Sequence, residues 1–124
     1  MSDRARLVRL GAVAMAFGVA LGAFGAHGLK ARLHPDMLAV YETGVRYHLI
    51  HGLALFVAAW LAGEDSTRSA RLAGVLFVLG ILLFSGSLYL LALTGVRTFG
   101  AITPLGGLAW LAAWGLLAIR VKPR

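Results

Sequence analysis

Glu42, Arg46, His48 and His51 crowd into one stretch, ETGVRYHLIH at 42–51, which runs unbroken into the apolar segment 53–62. A carboxylate, a guanidinium and two imidazoles carry protons, hold anions or ligate metals, and within a membrane segment they are costly unless other helices receive them. Glu42 and Arg46 stand i to i+4 with the acid N-terminal, the favourable order for a pair on one helix face. That spacing has two readings: an ion pair that neutralises itself near the interface, or a proton-linked or anion-binding site on the outer side. His48 and His51, at i and i+3, project about 60° apart and away from the pair. Two imidazoles so placed could share a metal or face a haem, with His27 a third ligand from the first connection. No carboxylate or thiol completes such a set, so they are read as polar groups satisfied by other helices, with no metal or cofactor expected.

Ser85 and Ser87 flank Gly86 near the middle of a third apolar segment. A serine nucleophile needs a base within hydrogen-bond reach. His51 lies at comparable depth on a neighbouring helix, but no carboxylate orients it and no oxyanion motif is visible. The hydroxyls are therefore expected to bond back to a carbonyl one turn earlier, and Gly86 to admit another helix. No residue is assigned a catalytic role. Cysteine is absent, which excludes disulfides, thiolate metal sites and thiol nucleophiles.

These groups need elements to position them, and composition says which. With 60% hydrophobic and 14% charged residues and a mean hydropathy of +0.83, the bilayer is the solvent of this chain. The net charge of +7 comes from basic residues at the chain ends and in the connections, a pattern that suits anionic lipid headgroups and not nucleic acid. Four helices are expected, at 6–26, 37–62, 71–95 and 103–120, making an all-α membrane protein with four transmembrane helices in one antiparallel bundle over 1–124. Arg4, Arg6 and Arg9 before the apolar run 10–26 superficially match a signal peptide, but the run is longer than a signal core and is expected to stay as the first helix. Its glycines recur at Gly11, Gly18 and Gly25, with Gly18 and Gly22 a small-xxx-small pair, so this face should let a neighbouring backbone approach.

In the second helix the run 49–62, apolar apart from His51, rises only about 21 Å, less than the hydrocarbon thickness of about 30 Å. The polar stretch must therefore enter the membrane or its interface. Asp36 is expected to cap this helix, and 63–68 to form a charged turn. Thr103 before Pro104 reads as an N-cap and first helical position. Counted from Pro104 the fourth helix is only about 24 Å long, so the non-helical backbone at 99–102 should lie at membrane depth, shielded by protein. Trp60, Trp110 and Trp114, with Tyr41 and Tyr47, are assigned to an interfacial aromatic belt. Arg4, Arg6, Arg9, Arg68, Arg71, Arg120, Lys122 and Arg124 fall on one side against Lys30, Arg32 and Arg97 on the other, so by the positive-inside rule both termini are expected in the cytoplasm. His27, Glu42, Arg46, His48, His51 and Thr103 then gather toward the outer side.

The segments GAFGAHGL at 22–29, ETGVRYHLIH at 42–51, LFSGSLYLLALTG at 83–95 and ITPLGGL at 102–108 together resemble the domain-of-unknown-function 423 family, the YgdD-like small membrane proteins of the bacterial inner membrane. The resemblance spans nearly the whole chain and implies a four-helix membrane protein; it implies no activity and carries over no catalytic residue. The reading that follows is a structural or interaction protein that self-associates or docks on a membrane complex through small-residue faces. The alternative is a transporter or channel subunit for a proton or small solute, with Glu42, Arg46 and His51 lining a path. Below His51 the second helix reads Gly52, Leu53, Ala54, Leu55, Phe56, with no polar residue to continue that path. An enzyme or redox protein is the third reading.

Overall fold

The computed structural model describes residues 1–62 and 67–120. Gly63, Glu64, Asp65 and Ser66 of the expected charged turn, and Lys122 and Arg124, lie outside the described residues. The described chain forms four helical rods, each long and apolar enough to cross a membrane, and contains no strand. The first is α1 (Asp3–Phe24), which continues into a π-helical turn at Gly25–Leu29. The second is α2 (Pro35–Leu61). The third joins α3 (Thr67–Gly80), a π-helical turn at Ile81–Ser85 and α4 (Gly86–Thr94). The fourth is α5 (Thr103–Arg120), preceded by a 3-10 turn at Arg97–Ala101.

Local chemistry sets the ends. α1 starts at Asp3, ahead of the apolar periodicity, because the Ser2 hydroxyl accepts from the Ala5 amide at 3.1 Å and an acid in the first turn suits the positive end of the helix dipole. Asp36, expected as a cap, lies inside α2; the cap is His34, whose Nδ1 accepts from the Asp36 amide at 3.3 Å. Pro35 holds the first helical position, where its missing N–H costs nothing. α4 stops at Gly95, whose φ of 73° is the left-handed conformation that glycine adopts without strain.

The backbone at 97–102 needs less protein cover than expected. Its 3-10 turn pairs its own groups, Phe99 N–H with Val96 O at 3.3 Å and Ile102 N–H with Phe99 O at 3.1 Å, while Arg97, Thr98, Ala101 and Ile102 stay exposed.

Consecutive rods run antiparallel. Gly11, Gly18 and Gly25 of the first rod lie opposite Phe56, Leu49 and Tyr41 of α2. Gly80 and Gly106 pair the third rod with α5 in the same sense, through Trp110 and Phe84. Asp3 reaches across to Arg71 at 3.3 Å, which puts the start of α1 beside the start of α3. The core has two parts: a large cluster at that end, built from Leu55, Ala58, Ala73, Phe77, Trp110 and Ala113 among others, and a small one at the far end around Leu29, Tyr41 and Ala92. The alanines matter because helices in a bilayer are held by close packing and internal hydrogen bonds, with little gain from burying apolar area. Between the two clusters lie the buried polar side chains His48, His51, Ser85 and Ser87.

Candidate functional site

Buried residues recur along one side of α2 at Tyr41, Gly44, His48, His51, Leu55 and Ala58, the three-to-four spacing of an inward face. α2 therefore presents its buried polar groups to every other rod, and each of these finds a partner there. Tyr41 is fully buried against Gly25, where any side chain would collide with the ring, and donates its hydroxyl to the Leu21 carbonyl of α1 at 2.6 Å. One turn on, the Gly44 carbonyl accepts from the Ser85 hydroxyl at 2.7 Å.

His48 bridges the first and third rods. Its Nε2 lies 2.8 Å from the Ala14 carbonyl and its Nδ1 2.8 Å from the Tyr89 hydroxyl. A carbonyl only accepts, so Nε2 carries the proton, and in the neutral ring Nδ1 then accepts from Tyr89. Gly18 opens the approach: a Cβ there would sit 3.4 Å from His48 Cδ2 and 2.6 Å from Leu49 Cδ2.

His51 faces the fourth rod, in the opposite tautomer. Its Nδ1 donates to the Tyr47 carbonyl at 2.8 Å, so Nε2 is left to accept from the Trp114 indole N–H at 3.1 Å. The imidazole lies flat on Trp110, with ring centroids 3.7 Å apart and planes 3° from parallel. Trp110 in turn donates to the Phe77 carbonyl at 3.1 Å across Gly80, where a Cβ would fall 2.0 Å from the indole nitrogen. Phe77 and Trp114 close the remaining sides of the ring.

The serines work at the π turn of the third rod. Ser87 Oγ donates to the Phe84 carbonyl at 2.8 Å and so accepts from Thr103 at 2.6 Å. Thr103 is the first residue of α5, and its hydroxyl ties that helix end to the third rod. The close helix approach expected at Gly86 occurs at Gly106 instead. A Cβ on Gly106 would lie 2.3 Å from the Phe84 backbone nitrogen, whereas at Gly86 the nearest atom would be 3.9 Å away. On α1 the glycine face receives side chains of α2, namely Phe56, Leu49, Val45 and Tyr41, in place of a backbone.

The residues expected to form one cluster are thus spread over several places. His48 and His51 are buried on different flanks of α2, and all four of their ring nitrogens are engaged, which leaves none to ligate a metal. Ser85 bonds Gly44 and has no contact with His51 that would activate it. Glu42, Arg46 and His27 are exposed. The expected Glu42–Arg46 ion pair is not formed: among the described residues the ion pairs join Asp3 to Arg6 and Arg71, and His34 to Asp36. Both side chains project from the outward face of α2, where each is free to extend toward the interface.

Tyr41, Tyr89, Trp110 and Trp114 complete the polar network and were not expected in it. The indole and phenol donors need acceptors: helix carbonyls serve Tyr41 and Trp110, and the two imidazoles serve Tyr89 and Trp114. The spacing of Gly106, Trp110, Ala113 and Leu117, all buried, is the signal that places Trp110 inside and not in an interfacial belt.

Two apolar grooves open outward beside the network. One, of about 360 Å³, runs between the first and third rods with His48 and Tyr89 in its lining. The other, of about 750 Å³, runs between α2 and α5 along Tyr47, His51, Trp110 and Trp114. Among the described residues no buried side-chain nitrogen or oxygen lacks a hydrogen-bond partner.

The family described as "Protein of unknown function (DUF423)" matches residues 21–107. The chain is 49% identical over 111 residues to the UPF0382 membrane protein YwdK of Bacillus subtilis, which covers 89% of this chain and 90% of that protein. It is 46% identical over 110 residues to a UPF0382 membrane protein of Staphylococcus haemolyticus and 43% identical over 110 residues to one of Staphylococcus aureus, each match covering 89% of both chains. No solved structure matches.

Proposed function

Since the chain belongs to the DUF423 family and is a multi-pass membrane protein, we propose that it serves as a small assembly protein, which self-associates or docks on a larger membrane complex. One observation carries this reading: among the described residues, every buried polar side-chain atom is already bonded inside the bundle. Buried polar groups that are fully satisfied rigidify and specify a fold. A catalytic or transport site would instead keep a donor or acceptor in reserve for its ligand.

The transport reading draws less support from the geometry. Glu42 and Arg46 face outward while His51 faces α5 with both nitrogens bonded, so the three residues line no common path. The basic residues Arg4, Arg6, Arg9, Arg68, Arg71 and Arg120 are all exposed and the antiparallel order gathers them at one end, which supports a cytoplasmic placement of both termini in the inner membrane and contact with anionic headgroups. Native mass spectrometry from native membranes tests the proposal. An oligomer, or a complex with another membrane protein, is the expected result; bare monomer alone would overturn it.

A further inference from the structure

α2 buries one face and leaves the opposite one outside the bundle. Thr43, Arg46, Ile50, Leu53, Val57 and Trp60 lie along that outward face, alternately three and four residues apart; Thr43 is half-buried and the others are exposed. A 3.5-residue period is the spacing of a helix-pair seam. The residue types fit as well. Thr43, Ile50 and Val57 put β-branched side chains at one heptad position, and Arg46, Leu53 and Trp60 fall at the other; β-branched residues paired with leucine, as at Ile50, Leu53 and Val57, favour two parallel strands.

Charge points to the occupant. Glu42 and Arg46 sit at one end of the seam, both exposed and without an ion-pair partner among the described residues. A lipid phosphate would satisfy Arg46 and leave Glu42 facing like charge; a second copy satisfies both. Two copies in one membrane share an orientation, so their α2 helices run parallel about a two-fold axis along the bundle, and the interface must be self-complementary. Helical side chains lean toward the N-terminus, which brings the Arg46 guanidinium toward the level of Glu42 on the facing helix. We propose that the outward face of α2 is a homodimer seam in which Glu42 of each copy pairs with Arg46 of the other. This rests on the assembly reading above and gives it a surface and a partner.

The absence of cysteine makes single-cysteine cross-linking in native membranes clean. Leu53→Cys is expected to cross-link, whereas Leu82→Cys and Leu111→Cys, on exposed faces of the third and fourth rods, are not. In the Leu53→Cys background, Glu42→Arg or Arg46→Glu alone should lower the cross-linked fraction about tenfold, the loss of roughly one close charge pair in each half of the interface. Co-expressing the two single variants under different tags should restore a heterodimer, which also shows that each variant folds. Cross-links at position 82 or 111 in place of 53 would overturn the seam while leaving self-association standing. Cross-linking at 53 that neither reversal lowers would overturn the charge pairing. No cross-link at any position, with bare monomer in native mass spectrometry, would overturn the seam and the assembly reading together.

Discussion

Gly106→Ala changes one hydrogen to a methyl where α5 lies against the π turn of the third rod. The new Cβ would fall 2.3 Å from Phe84 N, 2.7 Å from its Cβ and 2.8 Å from its Cα. Two of these atoms are helix backbone and cannot turn aside, so α5 must retreat by about 1 Å to reach ordinary contact. A shift of that size breaks the 2.6 Å Ser87–Thr103 bond, and strains the 3.1 Å bond from Trp110 to Phe77 one turn along. Overpacking of this kind costs about 1–3 kcal/mol, and each membrane hydrogen bond lost adds roughly 0.6 kcal/mol. Against that, alanine gains about 1 kcal/mol of helix propensity over glycine. The net expectation is a destabilisation of about 2 kcal/mol, close to thirtyfold in the unfolding equilibrium.

Gly86→Ala is the internal control. The same methyl there meets nothing nearer than 3.9 Å, so the propensity gain should stand alone and the variant should be as stable as the parent or slightly more so. Reversible unfolding in mixed micelles, followed by tryptophan fluorescence, measures both. Equal stabilities for Gly106→Ala and Gly86→Ala would refute the close approach of α5 to Phe84, and with it the alignment that sets Trp110 over His51.

Further outcomes can be read independently. Ring 13C and 15N chemical shifts should report His48 as the Nε2–H tautomer and His51 as the Nδ1–H tautomer; finding the same neutral tautomer at both sites would contradict their assigned partners. Trp114→Phe leaves His51 Nε2 without a donor and should destabilise the protein by about 1 kcal/mol. In a double-mutant cycle with His51→Phe that loss should largely vanish, and its persistence would show that Trp114 acts through packing alone. Arg46→Leu, measured on monomer in dilute detergent, should stay within about 0.5 kcal/mol of the parent, because Arg46 makes no ion pair among the described residues. A loss of about 3 kcal/mol or more would instead mark a buried pair with Glu42.

The sequence was sufficient for the class of the fold. Four largely apolar helical segments, with polar connections short enough to force antiparallel neighbours, leave a membrane bundle as the arrangement that pairs all backbone groups internally. It also marked α2 as the place where polar side chains enter the bundle, since the apolar run after His48 is too short to span alone. What each polar residue does there was not legible, because i to i+4 spacing says that Glu42 and Arg46 share a face without saying which way that face points. Packing decided it. The rotation of α2 that seats Phe56, Leu49 and Tyr41 on the glycines of the first rod turns both charges outward and carries His48 and His51 in.

The partners of those histidines lie far away along the chain, in Ala14, Tyr89 and Trp114, and no local pattern announces a contact between residues so distant. Trp114 reads as a belt aromatic, and nothing in the sequence singles out Tyr89, until α4 and α5 are placed. The two π turns are invisible in the same way: a widened turn shifts the face a helix presents, and whether that shift is favourable depends on what the next helix offers. Composition and length therefore determined that this chain folds as a bundle in a bilayer. Only the tertiary structure decided which polar groups bond each other inside it and which remain outside, because hydrogen bonds between helices depend on the rotation and depth of each rod, quantities that belong to pairs of helices and not to any one segment.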